Sequence, residues 1–229
     1  MKTIGLIGGI SWQSTIVYYT ILNELAAQKL GDPHSCECLI YSVQFAMVKK
    51  GQSENDWDSL NELMADAALS LQRAGADLLL IGANTMHLTA PFVQQKIDIP
   101  LIHIVDVVGK EIKTKGLKKV ALLGTQYTMK KDFYKKHLKE KFEVDVIVPE
   151  GADFDLVNEV IYTELVKGII NPQSKQQYLN IMNTLIDKGA EGVILGCTEI
   201  PLLIQPVDCS FPVFDTTRLH AEAAIALAM

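Results

Sequence analysis

The sequence predicts an α/β chain made of two pseudo-symmetric, duplicated Rossmann-like domains, with mainly parallel sheets and an inter-domain cleft. Three observations predict it. Short apolar runs alternate with helix-periodic segments from end to end, the order expected of parallel sheets covered by helices. LQRAGADLLLIGANT (Leu71 to Thr85) returns 114 residues later as LIDKGAEGVILGCTE (Leu185 to Glu199), with Leu71, Gly75, Ala76 and Gly82 repeated as Leu185, Gly189, Ala190 and Gly196, and Asp77 as Glu191. Two further pairs echo at similar offsets: KTIGLIGG (from Lys2) with KKVALLGT (from Lys118), and IPLIHIV (from Ile99) with FPVFDTT (from Phe211). The first half is placed at 1–104, with 212–229 packing back onto it, and the second at 105–211.

Taken in order, Thr3 to Ile7 reads as a strand that stops at Gly8-Gly9, and an amphipathic helix runs from about Ser11 to Leu30 before Gly31-Asp32-Pro33. A strand follows at Glu37 to Val43, then a polar loop at Lys49 to Asn55 and a helix from Asp56 to Ala74. The third strand ends at the first repeated tip. Met86 to Lys96 reads as a helix with Pro91 in an early turn, and Leu101 to Ile104 as a strand. In the second half, the strand from Lys118 is followed by a Lys-rich helix to Lys141 and a strand at Glu143 to Val148. Helices at Asp155 to Lys167 and Ser174 to Lys188 then lead to the strand Gly192 to Leu195 and the second tip. A helix of small residues ends the chain.

With a net charge of -6 and no basic run, the chain lacks the electrostatic footprint of a nucleic-acid or anionic-membrane binder. No run of about 18 apolar residues is present, and the start does not read as a signal peptide, so a cytoplasmic location is expected. Four cysteines in such a chain are expected to be reduced. Small solutes are the remaining class of partner.

The repeat sets Ala83 opposite Cys197 in register. Cys197, between Gly196 and Thr198 at a strand end and ahead of a helix start, is the candidate thiol acid or base; backbone N–H groups and the helix-terminus field there are expected to lower its pKa. Asn84, Thr85, Thr198 and Glu199 surround the two tips, where Asn and Thr side chains and free N–H groups can hold a carboxylate or simply cap a helix. His87 and Thr125 stand next to tips, and Lys167 and Gln52 are candidate carboxylate or lid contacts. Gly8-Gly9-Ile10-Ser11 is not a dinucleotide fingerprint, because the next strand ends without an acid for a ribose. His34, His103, His137 and His220 lack metal-ligand spacing, and Cys36-x-Cys38 has no second pair, so no metal and no cofactor is expected.

GLIGGISWQST, GANTMH, LLGTQYTM and GCTEIPLL together resemble the aspartate/glutamate racemase family along essentially the whole chain. The resemblance implies two pseudo-symmetric α/β halves, no pyridoxal phosphate, a homodimer, and a small dicarboxylic amino acid as substrate. It further implies one cysteine from each half flanking the substrate's α-carbon, one removing the proton and the other delivering one to the opposite face. Carried over, Cys197 matches the second-half cysteine, Thr198 and Glu199 its binding neighbours, Asn84 and Thr85 the polar pair of the first tip, and Ile10 and Gln52 positions lining the pocket. Ala83 departs from the pattern, standing where the family has its first cysteine, or a threonine in an L-selective subgroup. A methyl group moves no proton. Either water or His87 substitutes, or the enzyme works from one face, or the alanine was engineered, or the substrate is not an amino acid. The expected function is a racemase using Cys197; the alternatives are a one-thiol relative similar to the arylmalonate decarboxylases and a carboxylate-binding protein with little turnover.

Overall fold

The architecture follows from strands that are apolar on both faces. The structure, a computed structural model, describes residues 1–229 and divides into two units, Met1–Ile104 with Thr217–Met229, and Val105–Thr216.

In the first unit β1 (Ile4–Gly8) is followed by α1 (Trp12–Leu30), β2 (Cys38–Ser42), α2 (Phe45–Ser53), α3 (Trp57–Arg73), β3 (Leu78–Ile81), a 3₁₀ turn (Thr85–Thr89) and α4 (Ala90–Lys96). The strands pair in parallel in the order β2-β1-β3, with Ile4 beside Cys38 and Leu78. β1, the central strand, and β3, which is bridged on its outer side at Leu79 by Leu101, are buried at every position, as strands covered on both faces by helices must be, and each fully buried Leu or Ile contributes about 1.5–3 kcal/mol. The second unit takes α5 (Ile104–Thr114), β4 (Lys119–Gly124), α6 (Gln126–Lys130), α7 (Asp132–Phe142), β5 (Asp145–Ile147), α8 (Gly151–Thr163), a 3₁₀ turn (Leu165–Lys167), α9 (Pro172–Asp187), β6 (Val193–Gly196), α10 (Ile200–Leu203) and β7 (Val213–Asp215). Its parallel order is β5-β4-β6-β7. The first three positions of each sheet match, strand for strand. The last element, α11 (Thr216–Ala228), returns to the first unit, where Lys2 N donates to Ala228 O at 2.7 Å.

The repeated acid before each tip strand has a structural cause. The Asp77 carboxylate accepts the N–H of Thr3 at 2.7 Å, and the Glu191 carboxylate accepts those of Lys118 and Lys119 at 2.6 and 2.9 Å. Each acid fastens the start of the neighbouring central strand, so an acid is kept in both copies.

Four expectations need correction. The segment expected as a polar loop from Lys49 is mostly helix: α2 runs from Phe45 to Ser53 and buries Val48, Gly51 and Gln52 against the unit's core, a turn of helix hidden by the Lys49-Lys50 pair on its outer side. Leu101 to Ile104 is not a full strand; only Leu101 bridges to Leu79, and Ile104 already opens α5. Met86 to Lys96 is split into the 3₁₀ turn and α4, with Pro91 in the first turn of α4 where its missing N–H costs nothing. The chain returns to the first unit at Thr217 rather than at 212, because Val213–Asp215 pairs with β6.

Candidate functional site

At the first tip β3 ends and Gly82 N donates to Ile7 O at 2.9 Å, so the strand stays fastened to β1 up to the turn. A Cβ on Gly82 would lie 3.1 Å from that same oxygen. Ala83, Asn84, Thr85 and His87 follow, all buried. The His87 Nδ1–H donates to the Ala83 carbonyl at 2.9 Å, and burial, helped by His220, lowers the His87 pKa to about 3. His87 is therefore a neutral brace under the tip. Its ring lies edge-on to His220 at 5.5 Å, and His220 in turn donates from Nε2 to Ile102 O at 2.8 Å and accepts from the Tyr18 hydroxyl at 2.9 Å. Burial lowers the pKa of His220 as well, to about 4.

Beside this tip, the turn after β1 is shaped by Gly9, whose φ of +82° and 2.3 Å approach of a would-be Cβ to Val43 O leave room for glycine alone. Ile10 is buried just beyond it, and Ser11 caps α1 by accepting from Ser14 N. Gln52, buried at the end of α2, turns its amide toward Met86 Sδ at 3.4 Å. The structure thus brings Gln52 to the first-tip segment through Met86.

At the second tip β6 ends at Gly196, where an added Cβ would meet Leu122 Cδ1 at 2.6 Å. Cys197, Thr198 and Glu199 are 8%, 3% and 3% exposed. The Cys197 thiol donates to Glu199 Oε2 at 2.9 Å and the Thr198 hydroxyl to the same oxygen at 3.0 Å. Here the expected lowering of the thiol pKa is overturned. Burial and the Glu199 carboxylate raise it well above the ordinary value, and the backbone N–H groups of Thr198 and Glu199 offset only part of this. The field of α10 does not rescue the thiolate, because that helix is a single turn.

Thr125 is buried as the cap of α6, with its hydroxyl 3.3 Å from that of Thr128. Lys167 is exposed in the 3₁₀ turn that packs against α10. Two tyrosines near the thiol carry no signal in the sequence: Tyr162 on α8 and Tyr178 on α9 have hydroxyl pKa values raised first by burial and then by the charge of Cys197. The duplication hides Tyr178, since the residue 114 positions earlier is Met64. Cys36 and Cys38 are free thiols at the start of β2, the strand end opposite to the tips, and His137 pairs with Asp106 at 2.5 Å.

Two parallel α/β units with one strand order, each ending in a polar tip and one tip carrying a buried thiol–carboxylate pair, define the class: the fold is that of the amino-acid racemases. The structure of Picrophilus torridus aspartate racemase superposes with a TM-score of 0.81, covering 100% of this chain and 94% of its own, at 20% identity, a likeness of fold. The chain belongs to the Asp/Glu/Hydantoin racemase family, whose sequence model matches residues 7–224. It is similar to the structure of an Asp/Glu racemase candidate from Yersinia pestis (43% identity, TM-score 0.93, 100% of this chain and 99% of that one). It is also similar to an aspartate racemase homologue from Pyrococcus horikoshii OT3 (38%, TM-score 0.87, again 100% and 99%). The broad specificity amino-acid racemase RacX of Bacillus subtilis (strain 168) is 26% identical over 174 residues, 75% of this chain and 73% of its own length. No helix is long and apolar enough to cross a membrane.

Proposed function

We propose that the protein is a cofactor-independent, cytoplasmic racemase of a small dicarboxylic amino acid, aspartate or glutamate, working as a homodimer and moving the α-proton through Cys197. The observation that carries this reading is the 2.9 Å hydrogen bond from the buried Cys197 thiol to Glu199, in a chain of the racemase family.

The pair shares one mobile proton. At rest that proton is on sulfur, held by a carboxylate that also accepts from Thr198. As an acid, Cys197 gives it to the α-carbon of a bound enolate. As a base, Cys197 first passes it to Glu199 Oε2; the thiolate then takes the α-proton, and the C–H electron pair is delocalised into the substrate's α-carboxyl group. Asn84, Thr85, Thr198 and Glu199 are the residues proposed to surround the bound substrate, with Ile10 and Gln52 lining its pocket and His87, Thr125 and Lys167 as further candidates.

Ala83 favours a second reading. Its methyl group has nothing to transfer, so a one-thiol decarboxylase or isomerase, protonating from a single face, fits this tip as well. Incubation with each enantiomer of aspartate and glutamate in heavy water separates the readings. Deuterium incorporation with inversion supports the racemase; incorporation without inversion, or decarboxylation of an arylmalonate, supports the one-thiol enzyme; binding without exchange refutes both and leaves a carboxylate-binding protein.

A further inference from the structure

Cys36-Glu37-Cys38 takes no part in the chemistry proposed above. It lies where the chain enters β2, the strand end opposite to the tips, and both thiols are free. Asn23 Oδ1 accepts the N–H of Cys36 at 3.1 Å, and Glu37 O accepts that of Ile4 at 2.9 Å, so the ladder to β1 already holds one residue before β2 begins. Cys38 then lies beside Ile4 in register.

Alternation along an extended strand puts residues i and i+2 on one face. Cys36 and Cys38 share a face in this way, and their thiols reach each other: a hydrogen bond between the two side chains is the largest influence on the proton of each. Glu37, between them, is engaged elsewhere, its Oε1 accepting from the Thr3 hydroxyl at 3.2 Å. Cys36 is 8% exposed and Cys38 more so, which gives the pair an open side. No third His, Cys, Asp or Glu closes on these two sulfurs.

We propose that Cys36 and Cys38 form a two-sulfur binding site for a soft monovalent cation of the Cu(I) class. Ligand type and number select the ion. Thiolates are soft donors and favour Cu(I), whereas magnesium and calcium take oxygen ligands. A structural zinc site needs four ligands, and the single Cys-x-Cys pair supplies two; Cu(I) is satisfied by two sulfurs in a line. Spacing points the same way. Two residues of a strand span about 6.6 Å, which sets the Cβ atoms wider apart than the roughly 3.5–4.5 Å of a disulfide. Two metal–sulfur bonds of about 2.3 Å hold their sulfurs about 4.6 Å apart, so an ion bridges this pair with less movement of β2 than a sulfur–sulfur bond requires. Binding forms two metal–sulfur bonds, breaks two S–H bonds and releases both protons to solvent, and no electron is transferred. The site is independent of the racemase reading.

Titration of the reduced protein with Cu(I), supplied as its acetonitrile complex without oxygen and in competition with the chelator bicinchoninate, tests the site. One ion per chain is expected to bind more tightly than any that the Cys36→Ser/Cys38→Ser double variant takes up. Either single serine variant is expected to weaken that ion about 100-fold or more, while Cys209→Ser, at a partly buried thiol of the other unit, keeps it. Far-UV circular dichroism checks the fold of each variant. A second measurement needs no variant: Cu(I) is expected to protect Cys36 and Cys38 of the wild-type chain from alkylation by iodoacetamide, read by peptide mass, and to leave Cys209 reactive. Equal uptake by the wild-type chain and the folded double variant, alkylation of Cys38 unchanged by Cu(I), or Zn(II) held as tightly as Cu(I) by the same pair overturns the proposal. So does uptake that disappears in Cys209→Ser.

Discussion

Cys197 Sγ donates to Glu199 Oε2 at 2.9 Å, which makes the second-tip thiol a protonated hydrogen-bond donor. Its first consequence is slow alkylation: a thiol whose pKa is raised by burial and by a carboxylate holds little thiolate at neutral pH. Cys197→Ser is expected to lower exchange of the substrate's α-proton by about 10²–10⁴-fold while leaving the unfolding transition nearly unchanged, because a serine hydroxyl is too weak an acid and base to replace the thiol. Unaltered exchange in that variant would place the chemistry on another residue.

Glu199→Gln removes the charge that opposes thiolate formation. The Cys197 titration is then expected to move down in pH, read as thiolate absorbance or as the pH profile of alkylation, while proton exchange falls because the thiol has lost its proton acceptor. Faster alkylation together with slower exchange is the signature of a coupled pair. If both are unchanged, the carboxylate does not share the thiol's proton.

His87 and His220 are neutral and buried, with pKa values lowered from 6.5 to about 3 and about 4. The sign follows from linkage. Below pH 6.5 the unfolded chain binds protons that the folded one does not, so stability from these residues is complete above about pH 6.5 and declines toward pH 3–4, by up to about 1.4 kcal/mol per pH unit for each histidine. Urea unfolding at a series of pH values between 7.5 and 4 measures this. A His220→Phe variant, which loses the bonds to Tyr18 and Ile102, is expected to be less stable at pH 7.5 but to lose less on acidification. Parallel pH dependences in the two proteins would exclude His220 as a source of the slope.

The sheets were legible because their strands are apolar on both faces and because Leu71 to Thr85 is copied at Leu185 to Glu199. The copy also located both tips and the acids Asp77 and Glu191, whose role in fastening β1 and β4 needed coordinates. What the sequence concealed was of two kinds. Helix α2 was hidden because Gly51 and the polar Gln52 fill core positions that pattern reasoning gives to apolar residues, Gly51 because its Cβ would strike Leu60 at 2.8 Å. The charge state of Cys197 was hidden because it depends on a side chain two residues away bending back; sequence spacing shows the N–H groups that lower the pKa and not the direction of the Glu199 carboxylate.

The last prediction concerns Ala83, which holds in the first unit the place that Cys197 holds in the second. Of the substitutes for a missing thiol, His87 is poorly suited: it is neutral, buried, and commits its Nδ1 proton to the Ala83 carbonyl at 2.9 Å. Water is then the expected proton source for the face that Cys197 does not serve, and in that case the α-proton of one enantiomer exchanges with solvent faster than the amino acid inverts. A positioned acid contributes about 10²–10⁴-fold, and racemisation is expected to fall short of exchange by a factor in that range. Ala83→Cys supplies a thiol at a tip whose backbone is already fixed by Gly82 N to Ile7 O, and is expected to restore part of the inversion rate without raising exchange in proportion. The measurement is the ratio of deuterium incorporation to inversion for each enantiomer, in both proteins. If both enantiomers of the natural sequence already give a ratio near unity, and the added cysteine changes nothing, a group other than water serves the second face and the one-thiol description of this site is wrong.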